Sequence, residues 1–236
     1  MVISLCFALL SLPLCAAPQE PKHHLMRAID IPLLHMAGVL SMQGYMSYLS
    51  LPDEEVAQKS PWTWDRSWTG QYSRTAAEWS DHLLYGGLAF PLLWWGEWAT
   101  GRIERQEFLA DAVILAEVLV LNSALNNLVR GVELWARPLY FSHEAPEKER
   151  LSDQARSSFY SGHASSSFAL ATAVVIFNSS RERPLVPTLP LAVGVYGTAT
   201  AISALRVAAG KHYPTDVVAG AAVGSLIGWA IPKLHE

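Results

Sequence analysis

The sequence predicts an all-α helical bundle embedded in a membrane, with a functional site at one end of the bundle. Three observations support this fold class. Of the 236 residues, 51% are hydrophobic and only 16% are charged, against about 25% charged in a typical soluble domain. From residue 84 onward, apolar segments of near membrane-spanning length follow one another. No strand-like alternation and no internal repeat stands out.

The apolar segments are separated by short polar stretches, and each is near the length that crosses roughly 30 Å of hydrocarbon. Three carboxylates within them, Glu97, Asp111 and Glu117, are predicted to face the bundle interior, because charged side chains avoid lipid. The last two segments are rich in Gly and Ala, as closely packed membrane helices are. The alternative is a soluble bundle of very apolar helices. The segments are 84–100, 108–129, 164–179, 185–205 and 214–232.

The chain before residue 84 is predicted to be organised differently. Residues 1–17 resemble a secretory signal peptide, with a first transmembrane helix as the alternative. The region 18–83 is polar, and its moderately apolar part 31–51 is either an amphipathic helix or a membrane span. The tryptophans that follow either lie at a membrane interface or pack against the helical domain 84–236. They are Trp62, Trp64, Trp68 and Trp79.

Net charge, cysteine content and the spacing of metal-binding residue types exclude some classes of function. The net charge of −4 argues against a nucleic-acid partner. Both cysteines, Cys6 and Cys15, lie in the predicted signal, so the mature chain would have no disulfide. No cluster of carboxylates, cysteines or histidines has metal-ligand spacing, and the sequence therefore predicts neither a metal nor a cofactor.

Three polar islands interrupt the apolar segments: 130–138, 159–167 and 205–216. If the helices alternate in direction, all three islands reach the same end of the bundle. In the last island, His212 and Asp216 would lie one turn apart on a helix. The carboxylate then either supports the imidazole in catalysis or forms part of a helix cap.

Together the islands supply three arginines, two histidines and a helix that begins with Ser and Gly. Converging guanidinium groups suit a phosphate dianion, and the amides at the helix start add an anion site. The chemistry that follows is phosphoryl transfer without a metal, in which one histidine attacks phosphorus and the other protonates the leaving oxygen.

The islands resemble the three-part signature of the type 2 phosphatidic acid phosphatases, which reads K-x6-R-P, P-S-G-H and S-R-x5-H-x3-D. Order and internal spacing match over residues 108–232. Three positions depart from the signature: Arg130 replaces lysine, Tyr160 replaces proline and Leu205 replaces serine. None of these replacements removes a group that makes or breaks bonds.

The resemblance implies a role for each matched residue. His212 would be the nucleophile that forms a phosphohistidine, Asp216 would orient it, and His163 would be the general acid and later the base. The phosphate-binding groups would be Arg130, Arg137, Arg206, Ser161 and the Gly162 amide. The implied activity is hydrolysis of a lipid phosphate or diphosphate.

Two other enzymes share such a site, a soluble periplasmic acid phosphatase of broad specificity and a vanadium-dependent haloperoxidase. The resemblance also implies a bacterial-type inner membrane with the active site facing the periplasm. The short loops opposite the islands are basic, which places them in the cytoplasm if 31–51 does not cross. The hydrophilic insert 142–158 is either a lid over the site or a solvated loop. Oligomeric state is not indicated.

Overall fold

The computed structural model of the protein describes residues 30–49, 58–131 and 134–236. These ranges are helical and contain no β-strand, which confirms the predicted all-α bundle. The predicted signal 1–17 lies outside the described residues. Two 3-10 helices, Thr63–Trp68 and Pro138–Phe141, accompany the α-helices. The α-helices are α1 Asp30–Leu49, α2 Arg74–Gly87, α3 Pro91–Ala99, α4 Arg105–Arg130, α5 Glu147–Arg150, α6 Asp153–Arg156, α7 Gly162–Ser180, α8 Thr188–Ala208 and α9 Pro214–Leu234.

The first predicted apolar segment, 84–100, is not a single helix. α2 ends at Gly87 and α3 begins at Pro91, with a turn between them. Proline suits the first position of a helix, because its missing N–H is not needed there and its φ is already helical. The predicted division of the chain between residues 83 and 84 lies inside α2. The other four segments correspond to α4, α7, α8 and α9.

Three helices of the described chain, α4, α8 and α9, are long and apolar enough to cross a membrane by length and composition. Their most apolar stretches have mean hydropathies of 1.9, 1.4 and 1.6. Large apolar side chains such as Leu189, Val193 and Val218 point outward from α8 and α9, as lipid-facing residues do. α1 is not one of these three helices, but it packs along α4 and also exposes apolar residues, among them Val39 and Met42.

The helices alternate in direction, as the sequence predicted, and the three islands meet at one end. α4 and α8 run towards this end, and α7 and α9 begin there. α7 and α9 lie very close together. A Cβ atom added to Gly220, Gly224 or Gly228 would come within 2.6 Å of a carbonyl oxygen of α7 or of its N-cap residue. The glycine stripe therefore fixes both helix starts side by side at the site.

The opposite end of the bundle contains the three acidic residues of the apolar segments. Glu97, Asp111 and Glu117 are each at most 2% exposed, which confirms that they face the interior. Arg181 pairs with Glu97, Glu107 and Asp111. Glu117 pairs with His235, their oxygen and nitrogen 2.9 Å apart. Every one of these carboxylates thus has a cationic or histidine partner.

Candidate active site

His212 lies in the turn between α8 and α9 and is almost fully buried. Its Nδ1 atom is 2.8 Å from the backbone oxygen of Ser158. A carbonyl oxygen can only accept, so Nδ1 must carry the hydrogen. This tautomer leaves a lone pair on Nε2, which is the form of imidazole that can act as a nucleophile.

Asp216 is not the direct hydrogen-bond partner of His212, since Oδ2 lies 3.8 Å from Nδ1. Its carboxylate instead accepts from the Ser158 hydroxyl at 2.6 Å, the Tyr213 amide at 2.8 Å and the Trp135 indole at 3.1 Å. The bond to Tyr213 is a helix cap for α9. Asp216 therefore caps the helix and also holds Ser158, whose carbonyl holds His212.

The electrostatic surroundings of His212 keep it neutral. Burial lowers the pKa of His212 well below its ordinary value, and the nearby positive charges of Arg137 and Arg206 lower it further. The Ser158 carbonyl opposes this effect only in part. A neutral imidazole among cationic groups suits attack on an anion, because the anion brings the missing negative charge.

The three predicted arginines come together at this end of the bundle. Arg137 donates from Nε to the Ser157 oxygen at 3.2 Å. Arg206 donates from Nη1 to the Ser80 hydroxyl and to Asp81, both at 3.2 Å, and it lies close enough to Arg130 for their charges to repel. The Nε atoms of Arg130 and Arg206 are buried and have no hydrogen-bond partner among the described residues. Unpaired buried donors of this kind fit an anionic ligand.

The second island forms the start of α7. Ser161 is its N-cap, and its hydroxyl accepts from the Ala164 amide at 3.4 Å. Gly162 is tightly placed, because a Cβ there would lie 2.8 Å from Oδ1 of Asn126. His163 follows, with Nε2 2.7 Å from Oδ1 of Asp81. The structure thus brings His163 to the same end as His212, whose electrostatic surroundings include it.

Four residues at the site were not predicted from the sequence. Ser80 and Asp81 come from α2, in a region that no motif covers. Trp135 lies in the variable stretch between Arg130 and Arg137, and Ser158 lies just before the second signature part. Their side chains contact predicted residues directly. A signature reports spacing along the chain, and these contacts join residues that are 58 to 126 positions apart, so no local pattern pointed to them.

A cavity of about 800 Å³ opens beside the arginines. Arg130 and Arg137 form part of its wall, together with Lys148 and Lys211. The insert 142–158 forms another part of the wall through α5 and α6. Part of the insert is exposed to solvent, whereas Ser142, Ala145, Ala155, Ser157 and Ser158 are buried.

The insert also forms hydrogen bonds with other residues at the end of the bundle that contains the site, which we call the site end. Glu149 accepts from Lys211 at 3.1 Å and from the Tyr72 hydroxyl at 3.2 Å. The reading of the insert as a lid stays a prediction. Among the described residues, no group of three or more His, Cys, Asp or Glu side chains is placed to hold a metal ion.

Comparison with known proteins places these observations in a family. The chain resembles the crystal structure of Aquifex aeolicus LpxE, with 24% identity over 72% of this chain and 92% of that chain, at a TM-score of 0.48. It also resembles a transmembrane PAP2-type phosphatidylglycerolphosphate phosphatase from Bacillus subtilis, with 17% identity over 87% and 94% of the chains and a TM-score of 0.50. At these identities the likeness concerns the fold. No curated protein matches the chain.

The family model of the PAP2 superfamily matches residues 111–236, more than half of the chain. The matched range begins within α4 and contains all three islands, with both histidines and all three arginines of the site. The glycine stripe and the alternating helices bring this part of the bundle together around His212. The chain belongs to the PAP2 superfamily.

Proposed function

We propose that this protein is a metal-independent phosphatase that hydrolyses a lipid phosphate or diphosphate through a phosphohistidine on His212. One observation carries the proposal: a buried, neutral His212, held by the Ser158 carbonyl, lies among the charges of Arg137 and Arg206. An imidazole in this setting is ready to attack phosphorus, and the guanidinium groups are placed to stabilise the oxygens that gain charge.

The proposed reaction has two steps. In the first, Nε2 of His212 bonds to phosphorus while the bond to the leaving oxygen breaks, and His163 gives that oxygen a proton. In the second, His163 takes a proton from water, the water oxygen bonds to phosphorus, and the P–N bond breaks to release phosphate. Arg130, Arg137 and Arg206 would hold the equatorial oxygens in both steps, helped by Ser161 and the Gly162 amide.

Two features support a lipid substrate. Three helices are apolar enough to cross a membrane, so the site would lie near a lipid headgroup region. The cavity beside Arg130 and Arg137 also carries Lys148 and Lys211 on its wall, which suits the polar part of an anionic lipid. In this proposal, the phosphatase domain is the predicted region 84–236 together with the rest of α2, which supplies Ser80 and Asp81 to the site. Trp62, Trp64 and Trp68 are all exposed, which suits a membrane interface.

The decisive experiment traps the intermediate. The purified protein is mixed with a ³²P-labelled lipid phosphate, quenched, and tested for a phosphoenzyme that is stable to base but not to acid. His212→Ala is expected to show neither turnover nor label. His163→Ala is expected to accumulate label from a substrate with a good leaving group, because it cannot activate water. Near wild-type turnover by His212→Ala would overturn the proposal.

The same preparation separates the alternatives. Halide oxidation that depends on added vanadate would indicate a haloperoxidase, whereas a phosphatase is inhibited by vanadate, which mimics pentacoordinate phosphorus. Extraction only by detergent is expected for the membrane form, and release by osmotic shock would indicate a soluble periplasmic enzyme.

We further propose that the site faces the periplasm of a bacterial-type cell envelope. The loops opposite the site carry the exposed residues Arg102 and Arg183, and the tail carries Lys233, while Arg181 is neutralised by carboxylates and adds no net charge there. Short basic loops belong in the cytoplasm.

Cysteine labelling of intact cells tests this orientation. The background is Cys6→Ser with Cys15→Ser, which removes both native thiols. Glu144→Cys and Gln106→Cys then place one thiol at an exposed position at each end of the bundle. A membrane-impermeant maleimide is expected to label position 144 and not 106. The reverse would put the site in the cytoplasm, as would follow if the signal is cleaved and α1 crosses the membrane beside α4.

A further inference from the structure

We propose that Asp81 of α2 is a positioning residue for the proton-transfer step, and that it holds His163 in place and favours its protonated form. The inference rests on the proposed function, in which His163 is the general acid. It extends the catalytic unit to a helix that lies outside the range matched by the superfamily, 111–236.

One oxygen of Asp81 joins two groups of the site. Its Oδ1 lies 2.7 Å from Nε2 of His163 and 3.2 Å from Nη1 of Arg206. The contact to His163 is as short as a charge-assisted hydrogen bond. α2 is held in this position by its packing on α8 and by the buried Ser80, which accepts from the same Nη1 atom at 3.2 Å.

The charges around His163 explain why a carboxylate is needed. Arg206 faces it from α8, Arg137 from the segment before Pro138–Phe141, and His212 from the turn before α9. Burial and both arginines disfavour the imidazolium form of His163 and lower its pKa to about 4. Asp81 is the group that favours it, both by charge and by hydrogen bonding. A general acid must hold its proton until the leaving oxygen takes it, so the negative charge of Asp81 supports the acid role by opposing this lowering of the pKa.

Asp81 does not compete with phosphate for the whole of Arg206. It takes only Nη1, whereas Nε of the same guanidinium is buried without a partner among the described residues. The carboxylate can therefore remain beside His163 while phosphate binds to another edge of Arg206. In the step itself the proton moves from His163 to the leaving oxygen, and Asp81 neither gains nor loses a proton.

The test compares two substrates whose leaving groups need different help. An aryl phosphate such as p-nitrophenyl phosphate leaves readily without a proton, and an alkyl phosphate does not. Since general acid catalysis supplies about 10²- to 10⁴-fold, Asp81→Asn is expected to lower kcat for the alkyl ester by about 10- to 100-fold and for the aryl ester by only a few fold. The alkaline limb of the pH profile for the alkyl ester should move to lower pH.

A double variant shows whether Asp81 acts through His163. With His163→Ala already present, Asp81→Asn is expected to cause no further loss, because the group that it supports is gone. Glu78→Gln is the matched control: it removes one carboxylate three residues earlier on α2, from an exposed pair with Arg74, and should leave both substrates unaffected.

Two outcomes would overturn the inference. One is equal loss on both esters with an unmoved alkaline limb, which would make Asp81 merely structural. The other is wild-type behaviour of Asp81→Asn. In either case the activity of His212→Ala separates a failure of the role of Asp81 from a failure of the proposed function. If that variant is inactive, only the role of Asp81 fails, and if it is active, the proposed function fails as well.

Discussion

The two ends of the bundle both gather charged side chains, but they balance them in opposite ways. At the end opposite the site, which we call the closed end, one buried guanidinium, Arg181, pairs with three carboxylates, Glu97, Glu107 and Asp111. At the site end, three guanidinium groups come together, and one of them, Arg206, pairs with the carboxylate of Asp81, which also contacts His163.

The two ends differ in where their charged groups find partners. At the closed end each of these three carboxylates pairs with Arg181, so the charges join α3, α4 and the segment after α7. At the site end the Nε atoms of Arg130 and Arg206 are buried without a partner among the described residues. A protein that keeps such donors unpaired does so at a cost in stability, and an anionic ligand removes that cost. Charge within the chain builds the closed end, and in the proposed function the charge of the substrate completes the other.

The largest expected effect is at the closed end. Arg181→Met removes the guanidinium that Glu97, Glu107 and Asp111 share and leaves these three carboxylates without it, two of them almost fully buried. Breaking a buried ion pair in this way costs about 3–5 kcal/mol. We expect thermal unfolding of the detergent-solubilised protein to show this loss, while kcat of the molecules that remain folded is unchanged. Arg183→Met, two residues along and exposed, is the control and should be neutral.

At the site end the effects should fall on catalysis and spare stability. Arg130→Ala is expected to lower kcat by about 10²- to 10³-fold, similar to the loss of one oxyanion-hole donor. Arg130→Lys keeps the positive charge and should retain much of the activity. Initial rates on a lipid phosphate, with thermal unfolding measured in parallel, check both variants. Equal activity of the Lys and Ala variants would mean that position 130 does not touch phosphate.

A smaller effect on kcat is expected for the residues that form the hydrogen bonds to Asp216. Ser158→Ala and Trp135→Phe each remove one donor to Asp216, and Asp216→Asn removes the charge that both donors contact. A hydrogen bond to a charged group contributes about 1.5–3 kcal/mol, so each variant should lose roughly 10- to 100-fold in kcat with little change in KM. All three should be milder than His212→Ala. A loss as large as that of His212→Ala in any of them would assign that residue a direct chemical role.

The sequence could predict the fold and which histidines and arginines come together at the site end, because both depend on local patterns. Apolar length predicted the long helices, and the spacing within each island predicted which side chains reach the site end. Two features lay beyond these patterns. The break before Pro91 depends on a turn that hydropathy alone does not show, and Asp81 reaches His163 only because α2 packs on α8. For the same reason the spacing of His212 and Asp216 suggested a direct pair, although Ser158 lies between them in the hydrogen-bond network.

The smallest expected effect is none at all, and it concerns where the positive charge at the site end comes from. If Arg130, Arg137 and Arg206 supply all of it, a chelator has nothing to remove, and EDTA should leave the hydrolysis rate unchanged. Orthovanadate should still inhibit, because it needs only the guanidinium groups and His212 to bind. The assay compares initial rates after dialysis against EDTA with rates in untreated protein. Lost activity that returns with added Mg²⁺ or Zn²⁺ would show that a metal ion shares the work of the arginines, and the contrast between the two ends would then need a cation from outside the chain.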